Sequence, residues 1–208
     1  MLQGLISHEA SFFNSNLIMI NTFLPQKGNY RDLIVFQKST CIYDITHYFA
    51  RTFLSLGDRT VDQMIQVARS GRQNIAEGSA ASTTSKETEI KLTNVAKASL
   101  QELLLDYEDY LWQNGLEQWT MTDPRTLKAR GVCKRHNDTE FYMAQIPSRS
   151  AETIANIAII LIHQADTLLR LLIERLKKDF LENGGIREEM TRGRIAYRQQ
   201  HGSNGGRQ

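Results

Sequence analysis

Apolar residues recur along this chain at intervals of three and four with no sustained alternation, which is the pattern of amphipathic helices and not of strands. Val61, Met64/Ile65, Ala68 and Ile75 mark one face of a helix over about 60–77. Gly78 follows, a residue suited to a left-handed position at a helix end, and the small polar run 79–84 suits a link between antiparallel helices. Thr84-Ser85-Lys86-Glu87 has capping-box spacing and opens a helix over about 85–114, roughly 45 Å long.

That helix carries two apolar stripes. Leu92, Val95/Ala96, Ser99, Leu103 and Tyr110 form one; Leu100, Leu104, Tyr107 and Leu111 form the other. One stripe serves an intramolecular core. The second is either the wider face of a well-buried helix or an oligomer surface. Leu100, Leu104, Tyr107 and Leu111 are therefore the candidate interface, and Leu104→Arg is expected to break an assembly without unfolding the chain.

A first helix runs from about Asn29 or Tyr30 to Leu56 along Leu33, Phe36/Gln37, Thr40, Tyr43, His47, Ala50 and Leu54. Gly57-Asp58 breaks it, and Asp58 can cap the next. Pro124 predicts a short helix to about Ala129, followed by loop over 131–148 that exposes Lys134, Arg135 and His136 and folds Phe141-Tyr142-Met143 back onto the helices. The last long helix begins at Ser150 and runs through Ile154, Leu161, Leu168, Leu176 and Phe180. Its run Ile159-Ile160-Leu161-Ile162 is apolar nearly all round, which predicts burial on more than one side. Gly184-Gly185 stops it. A short helix over 186–199 then places Ile186, Met190 and Tyr197 on one side and Arg187, Arg194 and Arg198 on the other.

The expected fold is thus all-α: an antiparallel up-down four-helix bundle over 29–182, with a long loop 116–149 before the last helix and a short C-terminal helix. Residues 1–28 read as an extension and 183–208 as a basic suffix with a disordered end. Met19 is a natural beginning, which makes 1–18 either an over-called start or a frayed extension. The first residues lack a basic segment and a small-residue cleavage site, so no signal peptide is expected.

Charge changes the picture only locally. Lys+Arg is 25 against Asp+Glu 23. Residues 115–150 carry 6 basic and 4 acidic side chains and residues 183–208 carry 5 and 2, so the positive excess lies in the long loop and the tail. Cys41 and Cys133 stand far apart in different elements and fit free thiols in a reducing cytoplasm. No stretch of eighteen apolar residues predicts a membrane span.

Recognisable catalytic patterns are missing. The chain has no Gly-rich phosphate loop, Cys-x-x-Cys, His-Glu-x-x-His or nucleophile elbow, and no helical Glu-x-x-His pair for a di-iron site. His47 reads as a core or boundary histidine, His163 and Asp166 as a buried pair, and Glu102, Asp106, Glu108 and Asp109 as a solvated row. The chain is read as non-enzymatic, without cofactor, metal or small-molecule substrate.

Asn74-Ile75-Ala76-Glu77-Gly78, preceded by Arg69 and followed by a Ser/Glu-rich turn and Ala98-Ser99-Leu100-Gln101-Glu102-Leu103, resembles the signature of a bacterial four-helix-bundle family. Those proteins were first noticed as encoded by intervening sequences within 23S ribosomal RNA genes, and are similar to the accessory variability determinants of diversity-generating retroelements. The resemblance covers about 30–111, with 154–180 as the fourth helix; the chain departs from the short members over 116–150 and after Gly184, like a longer variant with a suffix. It implies an antiparallel bundle, often a pentameric ring, with nucleic-acid association in some relatives. On that reading Arg69, Arg72, Arg187, Arg192, Arg194 and Arg198 contact RNA or DNA phosphates. A protein–protein adaptor that binds no nucleic acid is the competing expectation.

Overall fold

Asp58, Ser85, Asp123, Asp138 and Ser150 each stand just before a helix and accept a backbone N–H from two or three residues ahead, so the chain's own side chains fix where five helices begin. The computed structural model describes residues 29–55 and 57–201. The extension 1–28, with the question of its start, and the end of the suffix lie outside the described residues. The elements are α1 (Ile34–Phe53), α2 (Arg59–Ala81), α3 (Lys86–Gln113), α4 (Pro124–Arg135), α5 (Thr139–Met143), α6 (Ala151–Asn183) and α7 (Ile186–His201), with 3-10 turns at Tyr30–Asp32 and Ile146–Ser148. No strand occurs among the described residues.

α1 packs on α2 and α6, and α3 packs on the same two helices, so the four long helices surround one apolar core. Phe49, Met64, Leu103, Tyr107 and Leu161 are wholly inaccessible in it. The Tyr107 hydroxyl donates to Thr46 Oγ1 at 3.0 Å, and its ring lies 5.0 Å from that of Phe49. A buried phenol with a partner adds area to the core without an orphaned polar group.

The α2–α3 contact is built from small residues. Gly71 and Gly78 are both helical and buried, two turns apart on one face. A β-carbon on Gly71 would lie 2.8 Å from Leu100 Cδ2; one on Gly78 would lie 3.3 Å from the Glu89 carbonyl oxygen and 3.4 Å from Leu92 Cβ. Ser70 and Ser99 hydroxyls meet across the same seam at 3.0 Å. These glycines let two backbones approach.

Several expectations are corrected here. Gly78 does not end its helix in a left-handed conformation: α2 continues to Ala81 because the seam with α3, not a turn, requires the glycine. The cap of α3 is Ser85, which accepts from Thr88 N, and the Ser85 hydroxyl donates to Glu87; the helix starts one residue later than the box spacing places it, and the reciprocal box is not formed. The fully buried face of α1 is Val35, Lys38/Ser39, Ile42, Ile45 and Phe49, rotated from the expected stripe, of which Ala50 is buried, Leu33, Phe36, Tyr43 and Leu54 are half-buried against the core and His47 is exposed. Residues 131–148 are largely helical, with α4 packed on α6 and α5 on α1. That cover explains why Ile159, Ile160, Leu161 and Ile162 are all buried. His163 is exposed and Asp166 accepts instead from Gln101 Nε2 at 2.8 Å. The helical run 151–201 holds an 18-residue window of mean hydropathy 1.5, long and apolar enough by composition to cross a membrane, and half of that window is buried within the protein.

The candidate oligomer stripe is also corrected. Leu100, Leu104, Tyr107 and Leu111 are 0%, 7%, 0% and 1% exposed within a single chain. α3 sits between α2 and α6, so the Leu100 stripe and most of the other are taken up by intramolecular contacts. Apolar residues that remain exposed on α3 are Val95, Leu105 and Trp112.

Candidate nucleic-acid interface

The six arginines singled out by sequence do not share one surface role. Arg69 is exposed on α2 and makes no ion pair with a described residue. Arg72 is half-buried, with its guanidinium 4.1 Å above the Tyr43 ring of α1. That cation–π contact gives Arg72 a place in helix packing. Arg192 donates to the Asn183 carbonyl, tying α7 to the last turn of α6. Arg187, Arg194 and Arg198 are exposed on α7 and pair with no described carboxylate.

α7 exists as a separate helix because Gly184 adopts φ 74°, which closes α6 and turns the chain. The junction then takes up an acidic residue of α7. Glu189 lies 2.6 Å from the ammonium of Lys86, which is also 3.0 Å from Asp179. The Lys86 side chain is 7% exposed. Burial works against its charge, but hydrogen bonds and attraction from Glu189 and Asp179 outweigh it and raise its pKa. Glu188 folds its methylenes against Gly184, where a β-carbon would lie 3.0 Å away. Glu189 thus faces the junction, Glu188 lies beside Gly184 but stays exposed, and three arginines face outward. No residue of α7 is buried.

Around this junction lies a cavity of about 520 Å³, with Leu33, Leu172, Thr93, Lys86, Asp179 and Glu189 in its wall. Its buried lysine is satisfied by the two carboxylates, and Thr93 donates to the Glu89 carbonyl. The arrangement joins the helix ends.

A second buried polar cluster ties α4 and α5 to α1. The Lys38 ammonium donates to the Cys133 carbonyl, and the Tyr142 hydroxyl to the His136 carbonyl. Cys41 and Cys133 are both free and buried. Burial pushes the Cys41 thiol up to about 11 and the Cys133 thiol up as well, so neither is a thiolate near neutral pH. Burial lowers the Lys38 pKa, opposed by the nearby Cys133 and Cys41. His47 lines a shallow depression between α1 and α5 with Tyr43, Asp44 and Met143. No three His, Cys, Asp or Glu side chains are grouped to hold a metal among the described residues.

The roles of Lys38, Lys86 and Glu189 had no sequence signal, since each depends on a distant partner or on the direction of α7. The basic excess after residue 183 was the sequence trace of the exposed arginines of α7. No protein family, curated protein or solved structure matches the chain.

Proposed function

We propose that the chain is a non-enzymatic helical scaffold that associates with RNA or DNA through the arginines of α7. In this reading the four long helices form the antiparallel up-down bundle that the Asn74–Gly78 segment resembles, and the protein is cytoplasmic and self-associating, with five subunits on that resemblance. The observation that carries it is the charge distribution on α7: Glu189 is taken by Lys86 and the exposed Glu188 lies back against Gly184, while Arg187, Arg194 and Arg198 stay exposed and unpaired by described residues. A near-neutral chain thereby presents a local cationic edge of the kind that displaces counterions from phosphates. Arg69 is a secondary contact, and Arg72 and Arg192 have structural roles.

Filter binding of labelled RNA and DNA tests this. Retention is expected at about 50 mM salt and loss of most of it at several-fold higher salt, because each phosphate contact contributes roughly 0.9 to the slope of log K against log salt on duplex DNA. Replacing Arg187, Arg194 and Arg198 together by Ala should flatten the slope by about two to three. No retention of single- or double-stranded RNA or DNA at low salt would sink the reading and leave the protein–protein adaptor in its place.

A further inference from the structure

One face of α7 carries, at the i, i+3, i+4, i+7 spacing of a continuous helical stripe, Arg187, Met190, Thr191, Arg194, Tyr197, Arg198 and His201. All seven are exposed. The stripe is about 21 Å long at 1.5 Å per residue. Cations alternate along it with an apolar side chain and two rings. The rings of Tyr197 and His201 stack at 4.2 Å with an interplanar angle of 18°, and Tyr197 is 64% exposed. His201 covers one face of the phenol. The other face has no ring or guanidinium against it among the described residues, and Arg194 and Arg198 stand one helical turn before and one residue after Tyr197.

We infer that this face is a stacking platform for single-stranded nucleic acid, with Tyr197, backed by His201, receiving an unpaired base while Arg187, Arg194 and Arg198 track the phosphates. The inference rests on the nucleic-acid reading above and specifies its ligand. Arginines alone attract any polyanion. An exposed ring between them adds a surface that only an unpaired base can use, because the bases of a duplex already have both faces covered. A ring held by a neighbouring ring needs little further ordering when the base arrives. Base–aromatic stacking tolerates sequence, since each base has a π-face, so selectivity should fall between strand states and not between sequences.

The test uses the full chain and fluorescence anisotropy with one labelled oligonucleotide of about 20 nucleotides, single-stranded or annealed to its complement, at about 50 mM salt. The single strand is expected to bind about tenfold more tightly than the duplex. Tyr197→Ala should remove most of that difference while leaving duplex affinity and salt slope unchanged; Tyr197→Phe should keep it. Circular dichroism and melting of both variants should match the parent, since nothing on α7 is buried. Equal affinity for both forms, or an unchanged single-strand affinity in Tyr197→Ala, overturns the platform and leaves the arginine reading intact. No binding to either form overturns both. Binding to phosphatidylserine vesicles with none to the oligonucleotides also overturns both and assigns the face to a lipid surface.

Discussion

On the outer side of α3 the Asp106 carboxylate is half-buried, and its Oδ2 has no hydrogen-bond partner. Burial, then the like charges of Glu102 and Asp109, push its pKa up from 3.8 to about 6. A folded-state pKa above the unfolded one means the native protein holds the proton more tightly. Ionised Asp106 therefore opposes folding at pH above about 6, and the opposition fades as pH falls through 6 towards 4. A shift of this size approaches 3 kcal/mol at about 1.4 kcal/mol per pH unit, which partial exposure reduces to about 1 kcal/mol. Asp106→Asn should thus stabilise by about 1 kcal/mol at pH 7.5 and by nothing measurable at pH 4, read from urea midpoints. A gain that persists at pH 4 would mean that ionisation is not its cause. This carboxylate was visible in the sequence only as one of a solvated row. Lys38 was less visible still, because a helical lysine reads as solvated until its acceptor, the Cys133 carbonyl 95 residues away, comes into view.

Helix pairs set the next scale, and the α2–α3 seam shows what periodicity can and cannot say. The stripe Val61, Met64, Ala68, Ile75 was legible, and all four residues are buried. That Gly71 and Gly78 belong to the same stripe was not legible, since a glycine contributes nothing to an apolar pattern. The first helix misled in another way: Leu33, Thr40 and Tyr43 satisfy the same three-and-four spacing as Val35, Ile42, Ile45 and Phe49, and only the neighbouring helices decide which set turns inward. The corrected role of Gly78 makes a sharp distinction. At a left-handed helix end, Ala would cost about 1 kcal/mol; in a helical seam, the propensity gain of about 1 kcal/mol offsets a contact that must give by a few tenths of an ångström. Gly78→Ala should therefore melt within a few degrees of the parent. Gly78→Val adds two γ-carbons against the Glu89 carbonyl and Leu92, and should cost about 2 kcal/mol or more by overpacking. If Ala costs as much as Val, the Glu89 carbonyl does not give and the seam admits no β-carbon at all; if Val costs no more than Ala, the seam is not what requires the glycine.

For the whole molecule, the all-helical class and the position of the basic tail were legible, but whether the second α3 stripe meets the core or a partner was not. Two apolar stripes on one helix suit a wide intramolecular face as well as an intersubunit one, and only the placement of α2 and α6 on both sides of α3 separates them. This reverses the expectation for Leu104. At 7% exposure its replacement by Arg buries an unpaired charge in the core and should cost 3 kcal/mol or more, unfolding the chain instead of dissociating it. Leu105 and Trp112, one heptad apart on the outer side, are 60% and 85% exposed. If self-association belongs to the proposed function, that outer face is where a charge should act. Trp112→Arg should change stability by no more than about 0.5 kcal/mol, as other exposed substitutions do. In a self-associating protein it should lower the mass from light scattering towards 23.8 kDa at unchanged helical signal. A parent chain that already scatters as 23.8 kDa at micromolar concentration removes the ring from the proposal, and a folded Leu104→Arg variant would contradict the core itself.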